Sequence, residues 1–275
     1  MTGGVSLQQF ALVNTGPSLT LSVRPGQWVA VVGPGGSGKT QFLRILAGLD
    51  RVPIGRIERP NAHFAKPGGV HRRSKVASLA RLPGGVGAAS ALSDLLASVR
   101  LWDQRAASVG DLTPTQMASA ELLSAITAPE PLLCLDGQFD QLDPWALAST
   151  LSAFQRRRST GQIIFFSTHR PELVKLCDAV VVLREREIRF AKSVEDLLRL
   201  GPPQEIRVET NQQASVRAIC DPFDVSMSVE EDSVVLKARE GQELAARLLL
   251  EGYGNVRTVI KRAPSIEEAL RNLFV

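Results

Sequence analysis

No stretch of eighteen or more consecutive apolar residues occurs in this 275-residue sequence, so nothing in it reads as a membrane-spanning helix. Its first residues lack a basic patch followed by an apolar core, and no secretory leader is expected. Cysteine is scarce: Cys134, Cys177 and Cys220 are odd in number and far apart. That argues against a disulfide framework and for a reducing cytoplasm, and their apolar neighbours mark them as core residues. No internal repeat or low-complexity tract interrupts the chain.

Negative charge is almost missing from one interval. Arg51, Arg56, Arg59, Lys66, Arg72, Arg73, Lys75 and Arg81 face only Glu58, although the whole chain carries a formal charge of just +4. Such a run suits nucleic acid, anionic lipid or an acidic partner face; a solvated basic surface is the plainer reading.

Against these absences stands one dense motif, Gly33-Pro34-Gly35-Gly36-Ser37-Gly38-Lys39-Thr40. It follows an apolar run, Trp28-Val29-Ala30-Val31-Val32, that reads as a buried strand, and it precedes an amphipathic helical pattern over residues 41–49. This is the strand–loop–helix context that a phosphate-binding loop requires. Its glycines let several backbone N–H groups converge on one phosphate, and the helix start adds partial positive charge. Lys39 is placed for the β- and γ-phosphates and the Thr40 hydroxyl for Mg²⁺. The expected ligand is a nucleoside triphosphate.

Taken in order, residues 5–23 predict a small antiparallel sheet, closed by the turn Arg24-Pro25-Gly26-Gln27. Residues 51–73 read as loop with one strand near 55–58, and Val76-Ala77-Ser78-Leu79-Ala80 as a second core strand ahead of a loop at 83–87. Helical patterns cover residues 90–102 and 116–126. Leu132-Leu133-Cys134-Leu135-Asp136 reads as a buried strand ending in a carboxylate that would order Mg²⁺ at the edge of a parallel sheet. A helix starts at Asp143-Pro144, and buried strands follow at Ile163-Ile164-Phe165-Phe166-Ser167-Thr168-His169 and Val180-Val181-Val182-Leu183. Strands alternating with helices in this way predict a mostly parallel sheet with its ligand at the carboxyl ends.

Gly201-Pro202-Pro203 is the expected boundary between a domain at residues 1–200 and another at 204–275. The second reads β-α-β-β-α-β, with strands at 205–210, 225–229, 234–238 and 255–261 and helices at 213–219 and 242–251. That order is the split, ferredoxin-like one. A last helix opens on Ser265, three residues before Glu268, a capping-box spacing. No cluster of catalytic residue types lies here, so the expectation is a regulatory or assembly module.

Together these residues resemble the ATP-binding subunit of an ABC transporter over about residues 5–200. The loop, Leu112-Thr113-Pro114-Thr115-Gln116, the strand ending at Asp136, Leu142-Asp143 and His169 come in the family's order. The tail, down to Pro264-Ser265-Ile266-Glu267-Glu268-Ala269-Leu270, is similar to the C-terminal extension of type-2 exporter ATPases. The resemblance implies an α/β P-loop NTPase fold of ABC type with antiparallel and helical subdomains, plus the small α+β domain. It implies ATP and Mg²⁺ as ligands, with Thr40 and Asp136 at the metal and His169 reaching the γ-phosphate. It further implies dimerisation with itself or a second ATP-binding subunit, separate membrane permease subunits, and a place on the cytoplasmic face of the membrane.

Several positions depart from the family pattern. Where it reads Asp-Glu-Pro, this chain has Asp136-Gly137-Gln138, without the water-polarising glutamate. The usual Leu-Ser-Gly-Gly-Gln is Leu112-Thr113-Pro114-Thr115-Gln116, and the glutamine after the second core strand falls at Arg81. No aromatic stands near Val13 to stack on adenine, leaving Phe10 as a poor substitute. The expectation is an exporter subunit that holds Mg·ATP and hydrolyses it slowly. The rival reading is an ATP-responsive regulatory or nucleic-acid-associated protein, favoured only by the basic run; nucleic acid is not the expected partner.

Overall fold

The computed structural model describes residues 3–274 apart from 14, 15, 83, 86, 211, 231, 232, 240, 252–255 and 263. Pro83 and Val86 of the expected loop, and Asn255 at the expected start of the last strand, lie outside the described residues. The chain divides into two compact units, Met1–Val194 and Glu195–Val275, a few residues ahead of the expected boundary at Gly201-Pro202-Pro203.

In chain order the first unit contains β1 (Val5–Ala11), β2 (Leu19–Val23), β3 (Trp28–Val32), α1 (Lys39–Ala47), β4 (Ile54–Glu58) and β5 (Ala62–Ala65). There follow α2 (Ala88–Ser98), α3 (Pro114–Ile126), β6 (Leu132–Asp136), α4 (Pro144–Ser159) and β7 (Ile163–Ser167). Then come α5 (Pro171–Val174), β8 (Ala179–Arg184), β9 (Glu187–Ser193) and the start of α6 (Val194–Arg199). Strands β2-β1-β4 make an antiparallel sheet. A second sheet runs β5-β6-β7-β3-β8-β9, parallel except where β9 pairs antiparallel to β8. β3 and β7 are buried along their whole length and β6 along all but its last residue, which is why each is written as an unbroken apolar run. α1 packs Phe42, Leu43, Ile45 and Leu46 into the core between the two sheets.

Two expectations fail here. Val76–Leu79 is a short 3₁₀ turn, not a core strand. Its N–H groups are taken by another segment: Val76 donates to the Ala107 carbonyl and Ala77 to that of Arg105. Only Val76 of the four is buried. The strand beside β6 is instead β5, at the edge of the sheet, with Ala62–Ala65 in register with Leu132–Leu135. β9 was not anticipated either.

The ends of the sheet are tied by polar groups. The Asp178 carboxylate accepts from the Trp28 backbone N–H at 2.8 Å and pairs with Arg158 at 2.6 Å, joining the start of β3 to the end of α4. Asp178→Ala strands that N–H and frees Arg158, and is expected to cost about 2 kcal/mol. A lowered urea midpoint, partly recovered in Asp178→Asn, is the measurement. The three cysteines are buried, and burial pushes the Cys134, Cys177 and Cys220 thiols up.

The second unit holds β10 (Gln204–Glu209), α7 (Gln213–Cys220), β11 (Val225–Glu230), β12 (Ser233–Ala238), α8 (Gly241–Glu251), β13 (Thr258–Arg262) and α9 (Ile266–Phe274). Its sheet is antiparallel in the order β11-β12-β10-β13. Ile206, Val208, Val216, Leu236, Leu244 and Leu248 form its own core. α9 opens as its spacing predicts: Glu268 N–H donates to Ser265 Oγ, and Ser265 N–H to Glu268 Oε2.

Candidate nucleotide site

The register of the large sheet brings three segments of the chain together. Val31 lies opposite Ser167 and Ser167 opposite Asp136, so β3, β7 and β6 end side by side. From these ends emerge the loop 33–38, His169 and Asp136. The loop turns because of its glycines. A Cβ at Gly33 would lie 2.1 Å from the Leu183 carbonyl oxygen, a distance no side chain tolerates. Gly38, at φ +98°, is the N-cap of α1 and supplies no side chain to cap it; no acidic residue stands in the first turn. The N–H groups at the start of α1 therefore receive no side-chain cap from their own N-cap residue.

Lys39 is buried, its Nζ donating to the carbonyls of Gly33 at 2.7 Å and Pro34 at 2.8 Å. Burial lowers its pKa, opposed by the negative charge of Asp136 and Asp140. Ser37 Oγ is buried with no hydrogen-bond partner among the described residues. Thr40 is exposed. Asp136 is half-buried, and its Oδ1 accepts from Ser167 Oγ at 2.7 Å. His169 is exposed just past β7. An unpartnered buried hydroxyl, an uncapped helix start, a sunken ammonium and a glycine-lined bend fit a phosphate chain.

A further carboxylate contributes to the site. Asp140 accepts from the Thr168 hydroxyl and, at 2.9 Å, from the His169 backbone N–H, fixing the segment that carries His169. Its only mark in the sequence is a carboxylate midway between Asp136 and Asp143. The expectation placed at Arg81 is corrected by the strand order: the residue that follows the strand beside β6 is Lys66. Lys66, Arg81, Glu121 and Gln138 line one cavity of about 470 Å³. Phe10 is fully buried, edge-on to Phe42 at 5.7 Å, and so is closed to any base.

The departures from the family pattern have structural counterparts. Thr113 caps α3, its Oγ1 accepting from the Gln116 N–H while Gln116 Oε1 accepts from the Thr113 N–H. Pro114 is the first residue of that helix, where the missing N–H costs the helix nothing but removes one outward-facing donor. Gly137 has φ +70°, with no atom within 4 Å of where a Cβ would stand. The basic run is partly engaged: Arg56 with Glu58, Arg59 with the Pro60 carbonyl, Lys75 with Ser108 and Arg81 with Glu130.

Fold and loop together define a P-loop nucleotide-binding protein. Residues 17–139 match the family model described as ABC transporter. The zinc import ATP-binding protein ZnuC of Roseobacter denitrificans is 31% identical over 60% of this chain and 68% of its own length. The aliphatic sulfonates import ATP-binding protein SsuB 1 of Streptomyces avermitilis is 32% identical over 65% of this chain and 70% of its own. Among solved structures, the dimeric ATP-binding cassette MJ0796 bound to ADP and Pi superposes with a TM-score of 0.59 at 16% identity, covering 69% of this chain and 98% of that one. The chain belongs to the ATP-binding subunits of ABC transporters, and its ligand is ATP, with Mg²⁺ as the usual partner. Among the described residues no helix is long and apolar enough to cross a membrane.

Proposed function

We propose that the chain binds Mg·ATP in the loop of residues 33–40 and turns it over slowly while coupled to separate membrane subunits. What supports the site assignment is the convergence of that loop, Asp136 and His169 at the ends of β3, β6 and β7. The backbone N–H groups of Gly36 and Gly38 and the Lys39 ammonium would hold the phosphates, with Thr40 and Asp136 at the Mg²⁺. The metal, when bound, neutralises charge on the phosphate oxygens. His169, steadied through Asp140, would donate to the terminal phosphate. Slow turnover is the reading that Gly137 favours, since the general base of this chemistry has no side chain there.

The membrane partners would be permease subunits, the protein would sit on the cytoplasmic face, and two ATP-binding subunits would pair. Export is the direction that the C-terminal unit favours, by its resemblance at residues 264–270 and by the order β-α-β-β-α-β with sheet β11-β12-β10-β13, which we read as a ferredoxin-like assembly module. Import is the second reading, and the names of ZnuC and SsuB 1 favour it.

The test is thermal. Mg·ATP at a hundred times its dissociation constant is expected to stabilise the first unit by about 2.7 kcal/mol. No rise in melting temperature, with no heat of binding in calorimetry, overturns the proposal.

A further inference from the structure

The hairpin joining β8 to β9 turns through Glu185 and Arg186, whose φ values are +53° and +63°. Left-handed backbone at two successive side-chain-bearing residues is costly, and such two-residue turns favour Asn-Gly or Gly-Gly instead. Strain held in place by its surroundings points to a role for the residue that bears it. Here the surroundings are the phosphate loop. The Arg186 backbone N–H donates to the Ser37 carbonyl at 3.1 Å. A Cβ built on Gly38 would be 3.6 Å from both the Cα and the Cγ of Arg186. The turn is thus held against the loop through its backbone.

The Arg186 side chain runs along the start of α1. Arg186 Nη2 donates to Gln41 Oε1 at 2.8 Å, and both residues line a cavity of about 480 Å³ shared with Gly36, Ser37, Lys39 and Thr40. Charge in this cavity is unbalanced. Arg44, also on its wall, is neutralised by a bidentate pair with Asp50 at 2.8 Å. Arg186, exposed on the wall of the same cavity, rests on a neutral amide and forms no ion pair among the described residues. A guanidinium parked on a weak, uncharged acceptor exchanges it readily for an anionic one.

We infer that Arg186 is a nucleotide-binding residue, its guanidinium moving from Gln41 to an oxygen of the phosphate chain. This rests on the assignment of residues 33–40 as the ATP site, and adds a contact from outside that motif, some 150 residues further along the chain.

The experiment compares the full chain with Arg186→Gly and Arg186→Lys. Glycine suits the left-handed backbone, so Arg186→Gly is expected to melt no lower than the parent without ligand. Its dissociation constant for Mg·ATP is expected to rise about tenfold, the value of one charge-assisted hydrogen bond. Arg186→Lys keeps the charge and is expected to recover part of that loss. Inorganic tripolyphosphate, competing against ATP, is expected to weaken by the same factor in Arg186→Gly. If Arg186→Gly binds ATP within twofold of a parent that binds it well, the inference fails while the site assignment stands. If ATP weakens but tripolyphosphate does not, the contact is to base or ribose and the phosphate assignment is overturned. A parent chain that takes up no ATP removes the site assignment itself.

Discussion

Lys39→Ala is expected to lower the affinity for Mg·ATP by at least tenfold and to abolish most of the nucleotide-dependent rise in melting temperature. The ammonium is the only cation buried within the loop among the described residues, held over the Gly33 and Pro34 carbonyls. Its charge-assisted bonds to phosphate would contribute about 1.5–3 kcal/mol, which converts to roughly 10–100-fold in binding. The fold should survive, because the apolar face of α1, from Phe42 to Leu46, is untouched. Isothermal calorimetry of parent and variant decides the matter. Equal affinities would mean that the nucleotide is held somewhere other than this loop.

Turnover is the second large effect. The purified chain is expected to hydrolyse ATP about 10²–10⁴ times more slowly than an ABC ATPase with its glutamate in place, the usual cost of losing a general base. Restoring the carboxylate is not a simple repair. At Gly137 a Cβ has open space but a left-handed backbone, φ +70°, so Gly137→Glu is expected to cost about 1–2 kcal/mol in strain. The new side chain would also leave the chain in a direction set by that backbone. Gly137→Glu alone is therefore expected to regain less than tenfold in rate. Steady-state phosphate release measures both quantities. A parent rate matching an intact ABC ATPase would discard the slow-turnover reading, and full recovery in Gly137→Glu would show the backbone to be no obstacle.

The centre of the site was legible because parallel strands covered on both faces must be apolar throughout, and β3, β6 and β7 announce themselves in that way. The loop was legible because its chemistry demands glycines at fixed spacing. β5 was not. Its four residues, Ala62 to Ala65, include a histidine and sit at the sheet edge, so only the pairing to β6 makes them a strand. Residues 76–80 mislead for the opposite reason: an apolar run promises a strand, but the carbonyls of Arg105 and Ala107 capture its N–H groups first. The residue that follows the strand beside β6 is therefore Lys66 and not Arg81. Asp140 and Arg186 carry almost no local signal. Each matters through a partner distant in sequence, Asp140 through His169 and Arg186 through Ser37 and Gln41.

The borders of the large sheet bear on how a second subunit can approach. One flank is β5, only four residues long; the other is β9, which carries Glu187, Arg189 and Lys192. Shortness on one side and charge on the other both discourage an intruding chain from adding itself as a further strand. Association with another copy, or with a membrane subunit, is thereby steered away from backbone-to-backbone zippering and left to side-chain surfaces.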